Sequence, residues 1–94
     1  MTFEVRFSLE AKDDLEKLKA YIARDNPAVA TDVIMCVRKL ANVLAAFPHL
    51  GKRSEVPDAY KIPVAGSPYL MVYEVREKQL RVLRVYHGAR DMRY

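Results

Sequence analysis

Residues 3–27, FEVRFSLEAKDDLEKLKAYIARDNP, change period within a few positions. Phe3, Val5 and Phe7 alternate with polar neighbours, the repeat of a strand with one buried face. From Ser8 onward the apolar positions are Ala11, Leu15, Leu18 and Ile22, spaced i, i+4, i+7 and i+11 along one stripe of an α-helix. Ser8 suits the N-cap, and Glu10, Asp13, Asp14 and Glu16 occupy the early turns, where the helix dipole favours acids. Pro27 disfavours helical geometry at Asn26. Asn26 is then placed to cap a second helix with Pro27 at its first position. That helix carries Ala30, Val33, Ile34, Val37, Leu40, Ala41 and Leu44 on a wide apolar stripe. The N-terminal half therefore predicts a strand feeding a helical hairpin.

Phe47-Pro48 closes the second helix, and PHLGKRSEVPD (48–58) reads as a loop with Gly51 as a turn residue. Three strand-like runs follow. YKIPV (60–64) sets Tyr60, Ile62 and Val64 on one face, and Pro63, which has no N–H to donate, belongs at an edge or bulge. AGSP (65–68) is a turn. YLMVYEV (69–75) alternates Tyr69, Met71, Tyr73 and Val75 against Leu70, Val72 and Glu74. REKQ (76–79) is a hairpin turn, and LRVLRVYH (80–87) is the last strand, ending at Gly88. The order is β-α-α-β-β-β. The fold class is α+β: a helical hairpin packed on one face of a four-stranded, mainly antiparallel sheet. The other face should be open and show Lys61, Leu70, Val72, Glu74, Arg84 and Tyr86, with Glu74 and Arg84 able to pair across strands.

A chain of 94 residues makes one domain spanning 1–94. Its 51% hydrophobic and 30% charged composition is that of an ordered globule. Cys36 is the single cysteine, which suits a reducing compartment; its mid-helix position predicts a buried or half-buried side chain. No basic-then-apolar leader and no run of ~18 apolar residues is present, so a cytoplasmic protein without membrane contact is expected. The net charge of +4 is unevenly placed. Residues 1–47 hold seven Lys/Arg and seven Asp/Glu, whereas residues 48–94 hold nine and five. The asymmetry fits a basic face for phosphates or an acidic partner; an ordinary solubility charge is the alternative.

Most catalytic chemistries lack their residues. His49 and His87 are the only histidines, no ligand set has metal spacing, and no glycine-rich phosphate loop or serine elbow occurs. No metal and no cofactor is expected. His87 stands apart, beside Tyr86 and three residues before Arg90. A histidine among cations and a tyrosine can move a proton during RNA backbone cleavage; the plainer reading is a ring that packs or hydrogen-bonds at a strand end. The tail GARDMRY (88–94) puts Arg90, Arg93 and Tyr94 together, residue types enriched at protein interfaces.

Several stretches resemble the RelE/ParE toxin superfamily. FSLEAKDDLEKLKAYIARDNP (7–27) is similar to the first helix and inter-helix turn of ParE-type toxins, and FPHLGKR (47–53) to the loop after their second helix. PYLMVYEV (68–75) and LRVLRVYHGARD (80–91) resemble the last two strands and terminal motif. The resemblance covers nearly the whole chain and implies a toxin of a type II toxin–antitoxin system. It also implies a partner, an antitoxin of ParD-like kind, with operator DNA met only through that antitoxin. Two activities occur in the superfamily: ribosome-dependent cleavage of messenger RNA by RelE-type members, and poisoning of DNA gyrase by ParE-type members.

Carried over residue by residue, the resemblance favours the second. Lys61 matches a cation of the ribonucleases, but Pro63 stands where RelE-type members have a second lysine and Leu70 where they carry an arginine. Of the ribonuclease pattern His87, Arg90 and Lys61 remain, and these would be the catalytic residues of the alternative. Losing one contact to a developing anionic transition state costs about 3–4 kcal/mol of barrier. A leucine suits the apolar centre of a protein interface instead. The expected binding surface for target and antitoxin comprises Lys61, Leu70, Val72, Arg84, Tyr86, Arg90, Arg93 and Tyr94.

Overall fold

The computed structural model describes residues 2–90 and 94. The switch of period at Ser8 is a physical junction. Strand β1 (Glu4–Phe7) ends there and helix α1 (Leu9–Ala23) begins. Ser8 Oγ accepts from the Ala11 N–H at 3.0 Å as the N-cap. The Ser8 N–H donates to Val82 O, and its hydroxyl donates to Leu83 O at 2.8 Å. One residue thus closes the β1 ladder and starts the helix. Asn26 caps α2 (Pro27–Ala46) by accepting from the Val29 N–H, with Pro27 at the first turn as expected.

The remaining strands are β2 (Lys52–Arg53), β3 (Ala59–Pro63), β4 (Tyr69–Arg76) and β5 (Gln79–His87). They form one sheet of order β1-β5-β4-β3-β2, in which only β1–β5 is parallel. The sheet has five strands, not four. The fifth is the two-residue β2, pairing Lys52 with Lys61 and Arg53 with Tyr60 inside the stretch expected to be loop. Two residues carry no periodicity, so that pairing leaves no trace in the sequence. It reaches no further than Lys61 along β3, which leaves Pro63 on an open edge where its missing N–H costs nothing.

Both helices cover one face. Ala11, Leu15 and Leu18 of α1 and Val33, Val37, Ala41 and Leu44 of α2 pack on Tyr60, Val64, Tyr69, Met71, Tyr73, Leu80, Val82 and Val85. Fully burying side chains of this size contributes roughly 1.5–3 kcal/mol each before chain entropy is charged. Cys36 is exposed, against expectation, because the buried stripe of α2 runs through Val33, Val37, Ala41 and Leu44 and leaves position 36 outside it.

The second departure is a β-bulge. Val72 pairs with Arg84 but Tyr73 pairs with Val82, so Leu83 is an extra residue on β5. Below the bulge Glu74 faces Arg81, and Arg84, opposite Val72, pairs with Asp14 of α1 instead. A period-2 reading cannot see this, since the bulge replaces one apolar residue with another.

The β4–β5 turn is strained. Glu77 and Lys78 have φ of 50° and 64° between the paired Arg76 and Gln79. Two consecutive left-handed residues form the turn that favours Asn-Gly, and each ordinary L-residue there costs about 1 kcal/mol. Glu77→Asn combined with Lys78→Gly is expected to raise Tm by about 5 °C. Thermal unfolding followed by circular dichroism checks this; no rise would mean that these side chains make compensating contacts.

Candidate protein-binding face and terminal cleft

Directly opposed residues of neighbouring strands share a face. On the face away from the helices, one row runs Lys52, Lys61, Val72, Arg84 from β2 to β5, and the next runs Pro63, Leu70, Tyr86. Lys52, Lys61 and Arg84 therefore share this face. Lys61 and Leu70 are half-buried, whereas Val72 is fully buried and Tyr86 is 4% exposed. Both had been expected to stand open. Val72 is a short side chain set among the longer Lys61, Arg84, Leu70 and Glu74, and lies below their reach. Burial pushes the Tyr86 phenol up, and Tyr94 raises it further. Tyr94 also acts on Arg84, so the chain's last residue lies back against the sheet. Arg93 and its neighbours 91 and 92 fall outside the described residues.

Arg84 is not a free cation. Its Nε and Nη2 donate to the two oxygens of Asp14 at 2.8 and 3.0 Å, a bidentate pair. Asp14 Oδ2 also accepts from the Val85 N–H at 3.0 Å. The hydrogen bonds to Asp14 are the main cause of Arg84's raised pKa, opposed in part by desolvation. The fold explains this arrangement. β1 pairs β5 only as far as Val82, so the rest of that edge needs acceptors, and Asp14 on α1 supplies one. The sequence marks Asp14 only as an acid in an early turn, where the helix dipole favours it. Its one sequence cue is that it sits one turn before the buried Leu18 and so borders the apolar stripe.

His87 lies at the mouth of a separate cleft of about 360 Å³, lined by Asp14, Lys17, Leu18, Tyr21, Tyr69, Val85, Tyr86 and Arg90 as well. Tyr69 and His87 are in register and their rings meet edge-on, 5.7 Å apart at 76°. The next pair on that side, Met71 and Val85, is core. His87 thus stands on the helix side of the sheet, while Lys61 stands on the other. The turn after β5 also holds the imidazole: Ala89 N–H donates to His87 Nδ1 at 3.1 Å, and Arg90 N–H donates to His87 O at 2.9 Å. With Nδ1 accepting, the proton of the neutral ring is assigned to Nε2, so Nε2 donates and offers no lone pair to a substrate hydroxyl. The cleft brings His87 and Arg90 together with Tyr21 and Tyr69, which sequence reasoning missed; it does not bring in Lys61. Among the described residues no group of three or more His, Cys, Asp or Glu is placed to hold a metal, and no helix is long and apolar enough to cross a membrane.

The family model for the ParE toxin of type II toxin–antitoxin systems (parDE) matches residues 5–92. Y4kP of Sinorhizobium fredii, a protein described as a toxin, is 26% identical over 84 residues, which are 89% of this chain and 86% of that protein. Among solved structures, a chain of the chromosomal ParDE system of P. aeruginosa superposes with a TM-score of 0.78 at 20% identity, covering 92% of this chain and 96% of that one. A chain of the intact RelBE toxin–antitoxin complex of E. coli superposes with a TM-score of 0.64 at 26% identity, covering 94% and 99%.

Proposed function

We propose that this chain, which belongs to the ParE toxin family of type II toxin–antitoxin systems, arrests growth by binding DNA gyrase and is neutralised by a ParD-like antitoxin. The observation that carries the gyrase half is the geometry around His87. A ribonuclease needs a proton acceptor and cations converging on one phosphate. Here His87 and Lys61 stand on opposite faces of the sheet. Arg84 is already bound to a carboxylate, and Leu70 sits in the row where further charge would be needed. What remains is a face with an apolar centre, built from Lys61, Leu70, Arg84, Tyr86 and Tyr94 and bordered by Arg90 of the cleft, which suits a polypeptide. Lys61→Glu with Leu70→Asp is expected to abolish growth arrest by reversing the rim charge and burying an unpaired acid in the contact.

Pulse labelling of DNA, RNA and protein synthesis after induction tests the proposal. DNA synthesis is expected to fail first, and His87→Gln is expected to leave the arrest intact. The proximity of His87 and Arg90 in one cleft favours a second reading, a ribosome-dependent messenger endoribonuclease acting through His87, Arg90 and Lys61. Under it translation halts first, messages are cut, and His87→Gln ends the arrest. Either of the last two results would remove gyrase as the target.

A further inference from the structure

Helix α2 carries a second apolar line beside its core stripe. The core stripe is Val33, Val37, Ala41 and Leu44. The second line is Val29, Cys36 and Val43, seven residues apart, with Phe47 one turn beyond. Seven residues are close to two helical turns, so these positions run along the axis on one side of the helix. Val29 is 43% exposed, Val43 47% and Phe47 63%, and Cys36 is exposed as well. By the 3.6-residue repeat this line lies opposite Ile34 and Arg38, which border the groove towards α1 with Leu15 and Lys19. No residue of α2 lines the His87 cleft. Two charges edge the line on one flank. Asp32 and Lys39 are exposed and seven residues apart, about 10.5 Å along the axis. Neither has an opposite charge one turn away on its helix: Asp32 has Ala28, Val29, Met35 and Cys36 there, and Lys39 has Met35, Cys36, Asn42 and Val43. Among the described residues neither enters an ion pair.

We propose that α2 pairs antiparallel with α2 of a second copy of this chain, across a two-fold axis at Cys36. The pattern is its own complement under that operation. Val29 lies against Val43 of the second copy, and Cys36 lies against its own equivalent. Asp32 stands four residues before the axis and Lys39 three after it, on the same flank. The rotation therefore sets Asp32 of each copy beside Lys39 of the other, giving two ion pairs. A parallel pairing in register would oppose Asp32 to Asp32 and Lys39 to Lys39, so the charges select the antiparallel arrangement. Phe47 covers the first turn of the facing helix. The helix has 20 residues and is about 30 Å long, and a single helix pair makes a small interface. The dimer is accordingly weak and concentration-dependent.

Sedimentation equilibrium of the purified chain over about 5–500 µM is expected to show a reversible monomer–dimer equilibrium. Asp32→Lys and Lys39→Asp, each verified as folded by circular dichroism, are expected to weaken it at least ~10-fold, because the two-fold axis doubles every like-charge contact. The variant carrying both substitutions is expected to dimerise again. An equimolar mixture of the two single variants is expected to associate although neither does so alone. A short bismaleimide is expected to join Cys36 to Cys36 in the parent and in that mixture, but not in the separate single variants. A chain that stays monomeric throughout the range, or single variants that dimerise as well as the parent, would overturn the proposal. So would a mixture no more associated than its parts, or Cys36 labelling that phosphatidylglycerol vesicles slow and raised protein concentration does not. Growth arrest enters none of these readouts, so failure of the gyrase reading leaves them as they stand.

Discussion

Asp14→Ala is expected to lower stability by about 3 kcal/mol and Tm by about 15 °C, although position 14 looks like one more acid on a charged helix. The carboxylate is only 9% exposed and satisfies three donors, two from Arg84 and one from the Val85 backbone. Removing it leaves a guanidinium, itself 25% exposed, without its counter-charge and an edge N–H without an acceptor. Such orphaned groups cost more than the bonds they once made. Full burial would give the upper end of the range; the partial exposure of Arg84 places the effect in the middle. Asp14→Asn keeps an acceptor for Val85 and is expected to recover about half of the loss. Urea denaturation of the three proteins measures both values. An Asp14→Ala protein within ~0.5 kcal/mol of the parent would mean that the pair is an ordinary surface bridge.

The same pair marks the boundary of what the sequence discloses. Ser8, Asn26 and Pro27 are local signals acting within four residues, and each is found in its expected role. The stripes of both helices and the core face of β3 follow from periodicity alone. Arg84 required a different kind of information. Its partner lies 70 residues away, and the bulge at Leu83 beside it has no compositional mark. The expected Glu74–Arg84 pair does not form: Glu74 lies opposite Arg81 and pairs with it at 3.9 Å.

The candidate site divides along the same line. The basic asymmetry of the second half is legible, and the register brings Lys52, Lys61 and Arg84 of it to one face. Whether a given residue stands proud of that face depends on its neighbours: longer side chains surround Val72, and Tyr94 lies near Tyr86. The cleft around His87 needs Tyr21 and Tyr69, 48 residues apart in the chain and brought together only by the packing of α1 on the sheet. The loop 48–58 conceals a further constraint, which a turn reading of Gly51 does not capture.

Gly51 is required for closeness, not for backbone freedom. A Cβ there would lie 2.6 Å from Tyr73 Oη and 2.9 Å from the Lys61 carbonyl oxygen. Tyr73 is fully buried, stacks on Tyr60 with ring centroids 5.4 Å apart, and ties the loop down: its hydroxyl accepts from Gly51 N–H and donates to Pro48 O, both at 2.9 Å. Tyr73→Ala is expected to cost about 5 kcal/mol, a ring-sized cavity plus two orphaned backbone groups, which is most of the stability of a domain this size. Tyr73→Phe removes only the two hydrogen bonds and is expected to cost about 2 kcal/mol. Gly51→Ala is expected to cost about 3 kcal/mol by forcing the loop off the ring. The Gly51→Ala, Tyr73→Phe double variant should then cost clearly less than the two singles together, because deleting the hydroxyl vacates the point of tightest approach. Burial raises the Tyr73 phenol above its ordinary 10.0, with the Gly51 bond partly opposing. The unfolded chain therefore releases that proton first, and stability held below about pH 10 is lost as pH climbs past it. Tyr73→Phe should flatten part of that alkaline loss while lowering stability at neutral pH. Strictly additive costs in the cycle, together with an alkaline limb unchanged by Tyr73→Phe, would show that loop and sheet are held by something other than this hydroxyl.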